Sequence, residues 1–326
     1  MPKHPFRIGG NRQPALDLVS YGRRGPGRPE RFTSEQVAQI ARTVRRAPEV
    51  MIKVSGGGNS LGAVAAHFRY ITRKGTLELE ADDGERVTGA GVARNLVEDW
   101  DLEVDLAMDQ WDRMTGGRRA SAAKLVHNIV LSMPAGTSPQ KLLAASREFA
   151  REEFALQHRY AMVLHTDQDH PHVHLVVSAH KREGGRLNIR KADLRRWREQ
   201  FARQLRAQGV EANATPAQVR GRLSDHTRDG AYWAAQRAAL SPGKAVSHRR
   251  KPEPASLGRI IDTAERVQGD WLATVVTLQA QGKPELAWEV EQFRQGLRSP
   301  ITRQERDAAM GRAREDRAPR QLDLLR

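Results

Sequence analysis

Residues 165–174 read His-Thr-Asp-Gln-Asp-His-Pro-His-Val-His and hold four of the chain's eleven histidines. On a strand successive side chains alternate faces, so His172 and His174 point one way and Val173 the other. Two imidazoles spaced in this way on a rigid strand can be presented to one ion. His165 closes a preceding strand, residues 166–171 make the connection back, and a third imidazole can join from there. Three neutral imidazoles leave coordination positions open for phosphate oxygens and water, as a catalytic ion requires and a closed structural site does not. Asp167 and Asp169 can orient imidazoles from outside or act as a general base. His170 reads as an outer group or a phosphate contact rather than a ligand. A loop of surface histidines, or a core pair satisfied by carbonyls, is the competing account; the third histidine and the two carboxylates weigh against it. The chain has no cysteine, so a metal must be held by His, Asp or Glu.

A nucleophile is available elsewhere. Residues 68–79 read Phe-Arg-Tyr-Ile-Thr-Arg-Lys-Gly-Thr-Leu-Glu-Leu. A helix beginning at Asn59 or Ser60 and running to Lys74 would place Leu61, Val64, Phe68 and Ile71 on one apolar stripe. Tyr70 then projects away from that stripe, beside Arg69, Arg73 and Lys74. Those cations would favour the phenolate and hold a phosphate nearby. A tyrosine attacking phosphorus stores the phosphodiester energy in an enzyme–DNA link, so that rejoining needs no external energy source. Packing of Tyr70 against a second element is the alternative. Tyr160 begins a strand and reads as structural.

The partner is a polyanion. The 326 residues carry a formal net charge of +15, with a pI near 10.7, a balance that most often serves nucleic acid and more rarely an acidic membrane surface. No apolar run reaches the roughly 20 residues that a membrane span needs, and the first residues lack a signal-peptide core. A cytoplasmic location is the expectation.

The elements that must position these groups lie in residues 49–221. Strands are expected at 50–54, 126–133, 160–164 and 173–177, and helices at 139–154 and 192–207, in an α+β arrangement with helices covering one face of a sheet. Residues 1–48 read as a basic, extended and flexible arm in which Gly27-Arg28-Pro29 resembles the centre of a minor-groove hook, with one short helix over 34–46. Residues 222–326 read as a linker, basic at 247–252, then helices at 257–281 and 284–297 and a charge-dense end. After the histidine strand come Arg182, Arg186, Arg190, Lys191, Arg195, Arg196 and Arg198, either a solvated face or a phosphate track.

Residues 70–79 resemble the nucleophile motif of the endonucleases that nick T-DNA borders. Residues 127–137 resemble their second motif and residues 165–174 the metal-binding motif of the wider HUH endonuclease superfamily, to which the conjugative relaxases belong. All three stand in the family's order. The resemblance implies a central antiparallel sheet with helices packed on it, and nicking at a transfer origin with Tyr70 retained on the 5′-phosphate. It implies an ion on His165, His172 and His174, with Asp169 as the orienting or deprotonating carboxylate; Mg²⁺ or Mn²⁺ is the first expectation, and a histidine-only site also accepts Zn²⁺ or Ni²⁺. It implies a DNA contact from the loop that holds Gly136 and Thr137; His127 of the second motif, Arg69, Arg73 and Lys74 beside the tyrosine, and Arg190 and Arg195 in the basic run are the other expected DNA contacts. Its expected partners are single-stranded or supercoiled origin DNA, an accessory DNA-binding protein, and the coupling protein of a type IV secretion channel through which the covalent complex is passed. Ser178 stands where relatives often carry Asn, which leaves that position without a role. A DNA-binding mobilisation accessory without activity, and a rolling-circle replication initiator, are the other readings; initiators place tyrosine after the histidines.

Overall fold

The computed structural model describes residues 31–114, 123–221 and 254–297. It separates into two compact units, 46–214 and a second composed of the segments before and after it.

In the first unit six strands form one sheet: β1 (Met51–Gly56), β2 (Leu79–Ala81), β3 (Arg86–Val87), β4 (Val126–Ser132), β5 (Tyr160–His165) and β6 (His172–Ser178). The order is β1-β4-β6-β5-β2-β3 and every pairing is antiparallel. The three central strands are rich in Val, Ile, Leu and Ala because both of their faces are covered. Against one face lie α5 (Pro139–Phe154) and α6 (Lys191–Ala207), whose Phe149, Phe154, Trp197 and Phe201 pack on Val173, Leu175 and Val177. Against the other lie α2 (Leu61–Ile71) and α3 (Val92–Asp99), whose Val64, Phe68, Leu96 and Val97 pack on Val126, Val163 and Val176. Helices therefore cover both faces, where the sequence pattern points to one. The additional layer is built by α2 and by the stretch 78–114, which contains β2, β3, α3 and α4 (Leu102–Met114); of these α3 carries a clear helical period, with Val92, Ala93, Leu96 and Val97 on its buried face.

Helix α2 starts on Ser60, whose hydroxyl accepts from the Ala63 amide. It stops at Ile71, three residues short of the expected Lys74. Thr72 gives its hydroxyl to the Phe68 carbonyl at 2.8 Å and accepts the Gly75 amide at 3.2 Å, and Arg73, Lys74 and Gly75 follow with φ of 50°, 61° and 91°. Two consecutive non-glycine residues in the left-handed region are a strained arrangement, held here by that hydroxyl. Glycine is required at 75 because a Cβ would stand 2.1 Å from the Gly89 carbonyl oxygen.

The second unit joins α1 (Ser34–Val44) to a short 3₁₀ turn (Ala217–Arg220), α7 (Pro254–Ala280) and α8 (Pro284–Gln295). Thr33 and Gln36 form a capping box on α1. Ile40 is buried with Val219, Val267, Trp271, Leu278 and Val290, and Trp271 donates its indole N–H to the Val219 carbonyl at 2.9 Å. The described part of the expected N-terminal arm is thus a capped, packed helix that shares a core with α7 and α8. The 27–29 motif, the basic stretch 247–252 and residues 303–326 lie outside the described residues.

Candidate active site

The register of the central strands assembles the imidazoles. In antiparallel pairing, directly opposed residues share a face. His165 pairs with His172, and His172 with Ser132; in the next row on that face Val163, His174 and Val130 align. The ligand atoms of His165, His172 and His174 come within 4.8 Å of one another, and their ring centroids are 4.5 to 5.1 Å apart. Among the described residues this is the group of three or more His or carboxylate side chains able to hold a metal.

Main-chain acceptors set the tautomers of two rings. His165 Nε2–H donates to the Ile71 carbonyl at 2.6 Å, which leaves the Nδ1 lone pair for a ligand. His172 Nδ1–H donates to the His170 carbonyl at 3.1 Å, which leaves Nε2. Burial holds His165 below the usual imidazole range, and Arg73 and His172 act in the same direction against the Ile71 hydrogen bond. His174 is pulled down to about 3, first by burial and then by the like charges of His165, His172, His67 and Arg73. Rings that stay neutral at physiological pH keep their lone pairs, as metal ligation requires. The donor set fits a divalent ion.

Tyr70 lies on the exposed side of α2, 60% accessible, with its ring 6.4 Å from that of His174 and edge-on to it. The left-handed turn after α2 brings Arg73 back over the tyrosine. Its guanidinium carbon is 5.1 Å from the Tyr70 ring centroid, and its Nη2 is 2.5 Å from Asp167 Oδ2 and 3.4 Å from His165 Nδ1. Asp167 sits below the usual carboxylate range because Arg73 is hydrogen-bonded to it. Asp169, favoured on the sequence, is exposed in the same turn; the carboxylate that reaches the cluster is Asp167.

Other expected site residues divide by sheet face. The loop holding Gly136 and Thr137 stands at the histidine end of the sheet, where His170 Nδ1 accepts the Ala135 amide at 3.0 Å, so His170 braces that loop. Arg69 and Lys74 are exposed beside Tyr70. His127 is not brought to the cluster. It pairs with Val177, five positions from the His172 row and on the face of Ile129 and Leu131, and its Nε2 lies 3.2 Å from the Leu187 carbonyl. Arg190 and Arg195 belong to α6 and its N-cap, which cover the face opposite the imidazoles. One neighbour went unread in the sequence. His67, one turn before Tyr70, stacks against it at 6.4 Å and meets His174 at 6.2 Å, and its buried Nε2 has no hydrogen-bond partner. Its spacing of three from a tyrosine on one helix was the available signal.

Residues 70–210 match the relaxase family described as the MobA/VirD2-like nuclease domain. The T-DNA border endonuclease VirD2 of Rhizobium rhizogenes is 32% identical over a match covering 40% of this chain and 31% of that protein. The VirD2 of Agrobacterium fabrum (strain C58) is likewise 32% identical, over 40% of this chain and 30% of its own. The chain therefore spans about a third of the length of these curated relatives. A solved structure described as "Molecular Basis of Vancomycin Resistance Transfer in Staphylococcus aureus" overlaps 52% of this chain and 98% of its own, at a TM-score of 0.32 and 13% identity, too slight a likeness to bear on the fold. Between Tyr70 and residue 210, the segment that carries both the tyrosine and the three imidazoles, the chain is similar to the MobA/VirD2-like relaxase nuclease domain.

Proposed function

We propose that the chain is a DNA relaxase that nicks one strand at a transfer origin and keeps the 5′ end on Tyr70. The observation that carries this reading is the juxtaposition of an exposed Tyr70 ring with His174 at 6.4 Å, beside three imidazoles able to hold one ion. The Tyr70 oxygen attacks the scissile phosphorus, the bond to the 3′ oxygen breaks, and that oxygen leaves to take up a proton. Energy is conserved, so the same site can reverse the step. A divalent ion on His165, His172 and His174 supplies Lewis-acid polarisation of a phosphate oxygen; Mg²⁺ or Mn²⁺ is the expected ion, and imidazoles also accept Zn²⁺ and Ni²⁺.

The remaining roles belong to the chain's own side chains. Arg73 positions the tyrosine ring and offers a planar guanidinium to phosphate. Asp167 holds Arg73. Asp169, in the solvent-facing turn, is the group we assign to the phenolic proton. Arg69, Lys74 and the loop with Gly136 and Thr137 flank the strand being cut. Origin DNA, an accessory DNA-binding protein and a type IV coupling protein are the partners of this reading, with export of the covalent complex as its consequence.

The test uses a supercoiled plasmid carrying the transfer origin of the element that encodes the chain. Wild type should convert it to the open-circular form only with a divalent ion, leaving protein on the 5′ end. Tyr70→Phe should bind the same DNA within about twofold, since the ring and its cation contact remain, and form no adduct. Metal-independent binding without any adduct from wild type would instead make the chain an accessory protein.

A further inference from the structure

The one nitrogen through which His165 can hold an ion does not face open solvent. Its Nε2–H is committed to the Ile71 carbonyl, and Nδ1 meets Arg73 Nη2 at 3.4 Å. A guanidinium has no acceptor and stays charged in proteins. Arg73 is also anchored: it bonds Asp167 at 2.5 Å, lies over the Tyr70 ring, and gives a second guanidinium N–H to the Tyr70 carbonyl at 3.3 Å. Its backbone, at φ 50°, leaves α2 in a direction that the Thr72 hydroxyl helps to hold. A permanent positive charge therefore stands against the one His165 nitrogen that keeps a lone pair, in a pocket where His165 is 1% exposed.

We propose that Arg73 and a divalent ion compete at His165 Nδ1, so that the guanidinium sets the metal affinity of the cluster and is turned toward the DNA strand when an ion enters. The proposal rests on the reading of the three imidazoles as a metal site. Two cations at one buried nitrogen repel, and the repulsion is little screened there. Arg73 has somewhere to go. It already lies beside Tyr70, where a scissile phosphate must dock, and a phosphate is a better bidentate partner than a ring face or a lone pair. Phosphate that captures the guanidinium lifts the repulsion, so DNA should tighten the ion, and by linkage the ion should tighten DNA by the same factor. The cluster would then hold its metal firmly only when there is a strand to cut.

The experiment titrates Mn²⁺ by calorimetry into the full chain without DNA. Arg73→Gln should bind Mn²⁺ more than about tenfold more tightly than wild type. Lys74→Gln removes the same charge one residue further along, from an exposed side chain, and should change the affinity by less than about threefold. Arg73→Lys keeps the charge and should stay near wild type. Equal or weaker binding by Arg73→Gln overturns the proposal, as does an equal gain in Lys74→Gln, which would make the effect one of overall charge. A second measurement needs no variant: in wild type labelled with ¹⁵N-arginine, diamagnetic Zn²⁺ should move the Arg73 Nε–H resonance, and a resonance that stays in place while Zn²⁺ binds overturns it equally. Neither readout uses cleavage. A chain that binds metal without competition from Arg73 can still nick DNA, and one that fails to nick can still show the competition.

Discussion

His165 donates its Nε2–H to the carbonyl of Ile71, 2.6 Å away, and Ile71 is the residue next to Tyr70. One hydrogen bond therefore ties the end of the tyrosine helix to the end of β5, the strand that carries His165. It fixes which nitrogen of His165 remains for an ion, and it limits how far the phenol and the imidazoles can drift apart. Catalytic groups must be held within about half an ångström of their working geometry, and in the proposed nicking reaction the backbone would supply part of that.

Loss of a single imidazole should separate metal binding from folding. His172→Ala removes one of three donors from a half-buried ring whose own bonds are to a local carbonyl. Outer partners of metal ligands typically cost 10- to 100-fold in affinity, so losing a ligand should weaken Mn²⁺ binding by at least about 100-fold. Calorimetric titration reads this directly, with the circular dichroism spectrum unchanged. An affinity within threefold or so of wild type would remove His172 from the ligand set.

The turn after α2 makes a stability prediction. Gly75 and Gly84 both have positive φ, 91° and 87°, but a Cβ at 75 would meet the Gly89 carbonyl at 2.1 Å and one at 84 would meet nothing within 4 Å. Gly84→Ala should cost about 1 kcal/mol from backbone conformation alone. Gly75→Ala should cost at least about 2 to 3 kcal/mol, because backbone must also move. Urea unfolding of both proteins tests the difference; equal losses would mean that the contact with Gly89 carries no energy.

How far the site was legible in the sequence follows from which contacts side-chain types can report. Strand parity exposes His172 and His174 as one pair, and the near-continuous apolar runs of β4, β5 and β6 mark central strands. The same parity places His127 with Ile129 and Leu131, on the face away from the imidazoles. The Ile71 carbonyl left no trace, because a main-chain acceptor has no side-chain signature. Within 78–114 the helical spacing of Val92, Ala93, Leu96 and Val97 was there to be read, whereas β2, β3 and α4 were illegible for a different reason. β2 and β3 are three and two residues long and exist through pairing, while α4 leaves Val104, Met108, Trp111 and Met114 exposed, so its apolar spacing does not reveal its buried side.

Acid should weaken the fold through the same rings. In the unfolded chain each histidine takes up a proton near pH 6.5, whereas His174 in the fold resists until about 3, chiefly because it is buried, and His165 and His67 are also lowered by burial. The unfolded state thus binds more protons as pH falls below about 6.5, and stability drops in that direction. The contribution is fully present above that pH. With chelator present, the melting temperature should decline from pH 7 to 5, a window above most carboxylate titration. His174→Asn should show a shallower decline. A melting temperature that rises on acidification, or an unchanged slope in the variant, would contradict the assignment.

Salt dependence distinguishes the two faces of the sheet. Each phosphate contact made by a cation contributes close to one unit of slope, or about 0.7 for single strands, in the logarithm of affinity against that of salt. Arg69 and Lys74 are exposed beside Tyr70, so Arg69→Gln and Lys74→Gln should each flatten the slope by about that amount. Arg195 lies on α6, whose Trp197, Phe201 and Leu205 pack against Val173, Leu175 and Val177 on the reverse face. Several of its basic neighbours are already engaged: Arg196 with Glu153, Arg203 with Glu152, and Arg198 with the Ile52 carbonyl at 3.2 Å. Arg195→Gln should therefore leave the slope unchanged. Binding isotherms on one single-stranded oligonucleotide at several salt concentrations make the comparison. If Arg195→Gln flattens the slope as much as Lys74→Gln does, the strand must wrap around to α6, and the confinement of DNA contacts to the tyrosine face is wrong.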